Sequence, residues 1–271
     1  MIKLIAIDLD GTLLNQDHEV SERNKQALLK AKAQGVKVVL CTGRPLLGMR
    51  HLLAEIGLQD DGDYVITYNG GLVQKADTGE VLHQITLNKE QLEEIYQVSQ
   101  GIQVPMHYID LENVYSPAGP TDAHSLYPSI MKVLPFVPLE VADAPDDIQV
   151  NKILYCCEAD ILNQRTAALS EAFKTSYTVI KSRPVLLEIM HKEVDKGTGI
   201  AALAKHLGIN QEEVMTLGDE ENDLAMIAYA GLGVAMGNAT DEVKAIANHV
   251  TATNEEDGVA LAVEKFVLNE G

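Results

Sequence analysis

Four carboxylates, one lysine, one arginine, one hydroxyl and one carboxamide stand where strands would end or helices begin. They are Asp8 and Asp10 in IDLDGT, Thr42 with Gly43 and Arg44 in CTGR, Lys196 in VDKGTG, and Asp219, Asn222 and Asp223 in GDEEND. Such a set suits a hard cation and a phosphoryl group. Mg²⁺ takes oxygen ligands in an octahedron, usually one or two carboxylates with waters and substrate phosphate. The side chains of Asp8 and Asp219 with the backbone carbonyl of Asp10 would supply them. Zinc is disfavoured, because Cys156 and Cys157 are adjacent and the eight histidines are scattered. Taken singly, these residues are ordinary: Asp-Gly is a common turn dipeptide, Asp and Asn cap helices, and lysine is usually solvated. Their joint occurrence is what points to a site.

The elements that must position them alternate. LIAIDL, VKVVLCT, YVITYNG, VMTLGD and LGVAMG are continuous apolar runs of the kind buried on both faces of a parallel sheet. Between them lie helical patterns, one from the N-cap candidate Ser21 to Gly35, one across RPLLGMRHLLAEIGL, then KGTGIAALAKHLG, NDLAMIAYAG and a helix from Thr240 to Ala247, followed by HVTATN and a last helix GVALAVEKFVL. In open parallel sheets ligands bind beyond the C-terminal strand ends, where Asp8, Thr42 and Asp219 fall. GGLVQKADTGEVLHQITL reads as an edge hairpin turning at Asp77-Thr78-Gly79. A second unit opens near Leu87 with a helix over 88–100 capped by Asn88. A stretch rich in Pro, Asp and Gly follows, then the strand VNKILYCCE, a helix from Asp160 to Lys174, and strands YTVIKS and VLLEIM. The predicted fold is α/β: a Rossmann-like core from residues 1–84 and 190–271, interrupted by an α+β insertion over 85–189.

Composition narrows the partners. Forty acidic against 21 basic residues give a net charge of -19, which repels a nucleic-acid backbone. The same charge repels a small phosphate ester, so a phosphate site must bring its own cations. Three cysteines, two of them neighbours, read as reduced thiols, with Cys41 a buried core residue. No apolar stretch reaches the ~18 residues of a membrane span, and a cytoplasmic location is the default expectation. Oligomeric state is left open.

IDLDGTLL, CTGR, the lysine of VDKGTG, and GDEEND occur in the order that marks the haloacid dehalogenase-like superfamily, and the chain resembles its Cof-type phosphatases. The resemblance spans essentially the whole chain, with the insertion matching that branch's large cap. It implies that Asp8 is the nucleophile that takes the phosphoryl group, and that Asp10 is the general acid and then base. It further implies that Thr42, the N–H groups near Leu9, Asp10 and Gly43, Lys196 and Asn222 hold the phosphate. Asp8, Asp10 and Asp219 would bind Mg²⁺, with Asp223 orienting metal-bound water or Lys196. Arg44 would meet phosphate or the cap, and Asn69-Gly70 would line the pocket.

The expected activity is therefore hydrolysis of small phosphorylated metabolites, sugar phosphates first. Two alternatives share the motif set: a phosphomutase that returns the group to a sugar hydroxyl, and a non-catalytic sensor of phosphorylated ligands, against which the full set of catalytic residue types argues.

Overall fold

A computed structural model describes residues 1–270. The chain divides into two compact units, Met1–Gln84 together with the chain from Asp195 on, and Ile85–Val194.

The first unit begins with β1 (Leu4–Ile7), in which all four residues are buried, as a continuous apolar run requires. The Ser21 hydroxyl accepts the Asn24 N–H at 3.1 Å and starts α1 (Glu22–Ala33), which buries Ala27, Leu28 and Ala31. β2 (Lys37–Cys41), α2 (Arg50–Glu55), β3 (Tyr64–Thr67), β4 (Leu72–Lys75) and β5 (Val81–Gln84) follow. The single helix expected across 44–58 is instead a 3₁₀ turn at Leu46–Gly48 and the short α2, divided at Met49. Gly48, a poor helix former, sits at that break.

β3 also ends earlier than YVITYNG suggests. Tyr68, Asn69 and Gly70 all take positive φ, at 51°, 55° and 96°, and turn the chain out of the strand. Tertiary packing explains the turn: a Cβ on Gly70 would lie 1.9 Å from the Asp195 carbonyl oxygen, so glycine lets this turn lie against the start of the helix bearing Lys196. Gly70→Ala is expected to lower stability by roughly 3 kcal/mol or more, from left-handed strain plus overpacking. Urea unfolding measures it, and a loss under ~1 kcal/mol would show that the turn relaxes freely.

The second unit comprises α3 (Lys89–Gly101), β6 (Met106–Ile109), β7 (Val114–Ser116), α4 (Tyr127–Ile130), β8 (Phe136–Pro138), β9 (Lys152–Cys156), α5 (Ala159–Thr166), α6 (Glu171–Ser176), β10 (Tyr177–Arg183) and β11 (Leu186–His191). Its sheet runs β10-β11-β9-β6-β7-β8. Leu92, Ile95, Leu162 and Phe173 from the helices share one core with Tyr108, Ile153, Tyr155 and Ile189 from the strands. Asn88 caps α3 through a capping box with Gln91. The helix expected from 160 to 174 is two, because the chain turns after Thr166 and the Ser170 hydroxyl starts α6. His107 is held by the hydroxyls of Ser116 and Ser125 at 2.9 and 2.7 Å, a packed histidine.

The chain then returns to the first unit with α7 (Lys196–Leu207), β12 (Val214–Gly218), α8 (Leu224–Tyr229), β13 (Leu232–Ala235), α9 (Asp241–Ile246), β14 (His249–Val250) and α10 (Gly258–Val263). The sheet order is β14-β13-β12-β1-β2-β3-β4-β5. It is parallel from β14 to β3, and the hairpin β4–β5 adds antiparallel strands at one edge. α1 packs with α10, and α7 with α8. β1 is thus central, flanked by β12 and β2, strands that lie far from each other in sequence.

Candidate active site

Register fixes the site. Ile7 stands level with Leu217 on one side and Leu40 on the other, so the next residues on the three strands emerge together. These are Asp8, Gly218-Asp219 and Cys41-Thr42. Asp8, Thr42 and Asp219 are all buried, at 6%, 2% and 5% exposure, although each is polar. Burial of that kind demands partners.

The partner of Asp8 comes from α7. Lys196 is the first residue of that helix, where the helix dipole disfavours a cation by about 0.3–1 kcal/mol. Its ammonium is fully buried, 2.5 Å from Asp8 Oδ1 and 2.5 Å from Asp223 Oδ1. Asp195 caps the helix by accepting the Thr198 N–H at 2.7 Å. The second oxygen of Asp223 accepts the backbone N–H groups of Asp219 and Glu220, at 2.8 and 3.1 Å. Asp223 therefore fixes both the lysine and the turn that carries Asp219.

Asp219 receives the Thr12 hydroxyl on Oδ1 at 2.7 Å. Gly11, at φ +81°, keeps its other oxygen clear: a Cβ there would sit 2.3 Å from Asp219 Oδ2. The carboxylate oxygens of Asp8, Asp219 and Asp223 lie within 4.8 Å of one another. When all three carboxyls ionise, one ammonium leaves this buried cluster two negative charges, which a divalent cation would balance. Every ligand in that trio is a hard oxygen, which fits Mg²⁺ and not a thiol- or imidazole-seeking metal.

Burial pushes the Asp8 carboxyl up to about 8, against the pull of Lys196 and with the repulsion of Asp223 and Asp219 added. Burial likewise lifts Asp219 to about 7; the Thr12 hydrogen bond works against this and the Asp223 charge adds to it. For Lys196 burial opposes the charged form, but the charges of Asp223 and Asp8 outweigh it and hold the ammonium above its ordinary range. Asp8 and Asp219 are thus more protonated when folded than when unfolded. Their contribution to stability is full below the unfolded carboxyl range near pH 4 and is lost as pH rises through about 7 and 8. A cation competes with those protons, so saturating Mg²⁺ should raise the melting temperature more at pH 8 than at pH 6. An equal or larger shift at pH 6 would contradict this.

Asp10 does not join the carboxylate trio: its exposed side chain is held by Arg44 in a two-point ion pair, Nε at 3.1 Å from Oδ2 and Nη2 on Oδ1. Arg44 therefore meets a carboxylate where phosphate or the cap was expected. Leu9 is a core side chain, leaving only its backbone for the site. The Thr42 carbonyl accepts the Asn69 N–H at 3.0 Å, and its hydroxyl accepts the Arg44 N–H at 3.3 Å. Gly43 packs beside Asn69, where a Cβ would come within 3.0 Å of Oδ1. Asn222 reaches the same place through Asn69, at 3.4 Å. Cys41 is buried and its thiol is pushed up, chiefly by that burial. Thr12 and Asn238 escaped the sequence reading. Thr12 directly follows Asp-Gly, and Asn238 follows the end of β13, so the strand-end rule that found Asp219 could have found Asn238.

A model of the haloacid dehalogenase-like hydrolases matches residues 5–263. The chain belongs to that family. It is 43% identical over 268 residues to a Bacillus subtilis protein named "Putative phosphatase YxeH", covering 99% of each chain. It is 33% identical to the B. subtilis 5-amino-6-(5-phospho-D-ribitylamino)uracil phosphatase YcsE, covering 98% of this chain and 96% of that one. A solved structure of a HAD subclass IIB sugar phosphatase superposes with a TM-score of 0.77 at 25% identity, over 97% of this chain and 98% of the other. The chain is a Cof-type phosphatase of this family, whose phosphatases use a metal ion. Among the described residues no helix is long and apolar enough to cross a membrane.

Proposed function

We propose that this phosphatase hydrolyses small phosphorylated metabolites, sugar and polyol phosphates in particular, with Mg²⁺ and through a phosphoryl group carried on Asp8. The observation that carries the reading is Lys196, a fully buried ammonium set between Asp8 and Asp223 at a helix start that disfavours it. A cation held against both dipole and desolvation suits charge that appears during reaction. The sugar and ribitylamino phosphatases among the similar proteins support the substrate class.

In this scheme an Asp8 oxygen attacks phosphorus while the bond to the leaving oxygen breaks, and Asp10 gives that oxygen its proton. Asp10 then takes a proton from water, whose oxygen attacks the same phosphorus and frees Asp8 and inorganic phosphate. Lys196, the Thr42 hydroxyl and the Gly43 N–H hold the phosphoryl oxygens through both steps. Bound by Asp8, Asp219 and the Asp10 carbonyl, Mg²⁺ would neutralise phosphate charge and favour ionised Asp8. The first unit would supply the chemistry and the second the choice of substrate.

The test is a screen of phosphorylated metabolites with Mg²⁺, ranked by kcat/KM, with EDTA as control. Turnover that survives EDTA would remove the metal, and isomeric sugar phosphate with little free phosphate would make the enzyme a mutase. The Arg44–Asp10 pair adds a sharper expectation. If Arg44 aims Asp10, Arg44→Ala should slow single-turnover phosphoryl transfer from alkyl phosphates by about 100-fold, the lower end of the range attributed to general acids. In the same single-turnover format p-nitrophenyl phosphate, whose leaving group needs no proton, should slow by no more than about 3-fold, because Asp10 acts on it only in the later hydrolysis step. Equal losses on both would deny Arg44 that role.

A further inference from the structure

Asn238 lies beyond β13, two strands away from β1, and takes no part in the scheme above. Its Nδ2 donates to the Gly11 carbonyl at 2.8 Å and lies 3.5 Å from Asp219 Oδ2. Its orientation is set by a third contact, because Oδ1 accepts the Asn254 backbone N–H at 3.0 Å. That bond makes the nitrogen the end that faces Gly11 and Asp219. The Asn254 side chain in turn donates to the Leu14 carbonyl at 2.9 Å. Two asparagines from the loops after β13 and β14 thus grip the turn Gly11–Leu14, immediately after Asp10. Thr12 holds one oxygen of Asp219, and Asn238 faces the other.

We propose that Asn238 is a positioning residue for the metal: one carboxamide sets the Gly11 peptide next to the Asp10 carbonyl and the free edge of Asp219, keeping ligands from two strands at one spacing. The proposal rests on the metal-dependent reading above. Side chains that orient ligands without binding the ion typically change metal affinity by roughly 10- to 100-fold when removed. Asn238→Ala should weaken cation binding by that factor. A plain packing role would lower the melting temperature and leave affinity alone.

The experiment is a Mn²⁺ titration without substrate, following free ion by electron paramagnetic resonance. Wild type, Asn238→Ala and Asn254→Ala are compared, with circular dichroism melts in EDTA as the measure of fold. The expected result is a dissociation constant raised at least roughly 10-fold in Asn238→Ala and within about 3-fold of wild type in Asn254→Ala, which keeps the N–H that orients Asn238. Should Asn238→Ala not fold, Asn238→Ser carries the test, being polar but too short to reach either partner, with the same rise expected. A folded Asn238 variant that binds Mn²⁺ like wild type overturns the assignment. Wild type that binds no Mn²⁺ overturns the metal-dependent reading itself, a separate result.

Discussion

Asp8→Asn should reduce turnover by about 10³-fold or more while inorganic phosphate still binds within about 10-fold of wild type. The amide has the same shape and keeps an oxygen for Lys196, so the buried ammonium that touches Asp8 Oδ1 at 2.5 Å retains two acceptors. What disappears is the nucleophile. Acid-quenched wild type should carry phosphate on the peptide containing Asp8, and the variant none. A second signature is independent of activity. Because burial lifts Asp8 to about 8, the metal-free wild type must give up a proton in the folded state as pH rises, and the amide never does. The melting temperature of the variant relative to wild type should therefore increase between pH 5 and pH 8. Turnover within 10-fold of wild type, or phosphate found elsewhere in the protein, would take the nucleophile away from Asp8.

The strand-end half of the candidate site was legible because it depends on topology. Apolar runs such as LIAIDL and VMTLGD announce buried parallel strands, and in that topology the residue after each run faces the same crevice. That logic reached Asp8, Thr42 and Asp219 without knowing that β12 and β2 flank β1. It could not say how the side chains divide. Asp10 looks like Asp8 in sequence, yet Arg44 draws it away from the carboxylate trio and Asp223 takes a place there. Two residues along a turn is enough to send neighbouring side chains to different partners.

Where sequence failed, long-range contacts decided. The left-handed Tyr68-Asn69-Gly70 reads as strand, since only the approach of Asp195 makes the turn necessary. The helix read over 160–174 has no proline to break it, and its division rests on the hydroxyl of Ser170 finding the Phe173 N–H at 3.1 Å. Asn238 and Asn254 are loop asparagines, a residue type that usually satisfies its own turn. Their role depends on carbonyls more than 200 positions away.

Lys196→Met should destabilise the metal-free protein by about 3–5 kcal/mol, the range for breaking a buried ion pair by removing one partner. Methionine follows the path of the lysine stem, so little of the loss comes from packing. The loss comes from Asp8 and Asp223, both buried and each deprived of a charge 2.5 Å away, with Asp219 nearby. Without that charge Asp8, already raised to about 8, holds its proton more tightly still, so the variant's deficit against wild type should be smaller at pH 5 and larger at pH 8. Mg²⁺ should then stabilise the variant more than wild type, because the divalent ion enters a cluster with no resident cation. Turnover should nevertheless stay at least about 10³-fold down with Mg²⁺ saturating, since the ion restores charge balance but not the ammonium facing the phosphoryl oxygens. Urea unfolding at the two pH values, with and without Mg²⁺, separates these effects. A deficit that is independent of pH would mean that Lys196 acts through its stem and not its charge. Recovery of turnover by Mg²⁺ alone would mean that charge balance, and not a placed ammonium, is what the reaction requires.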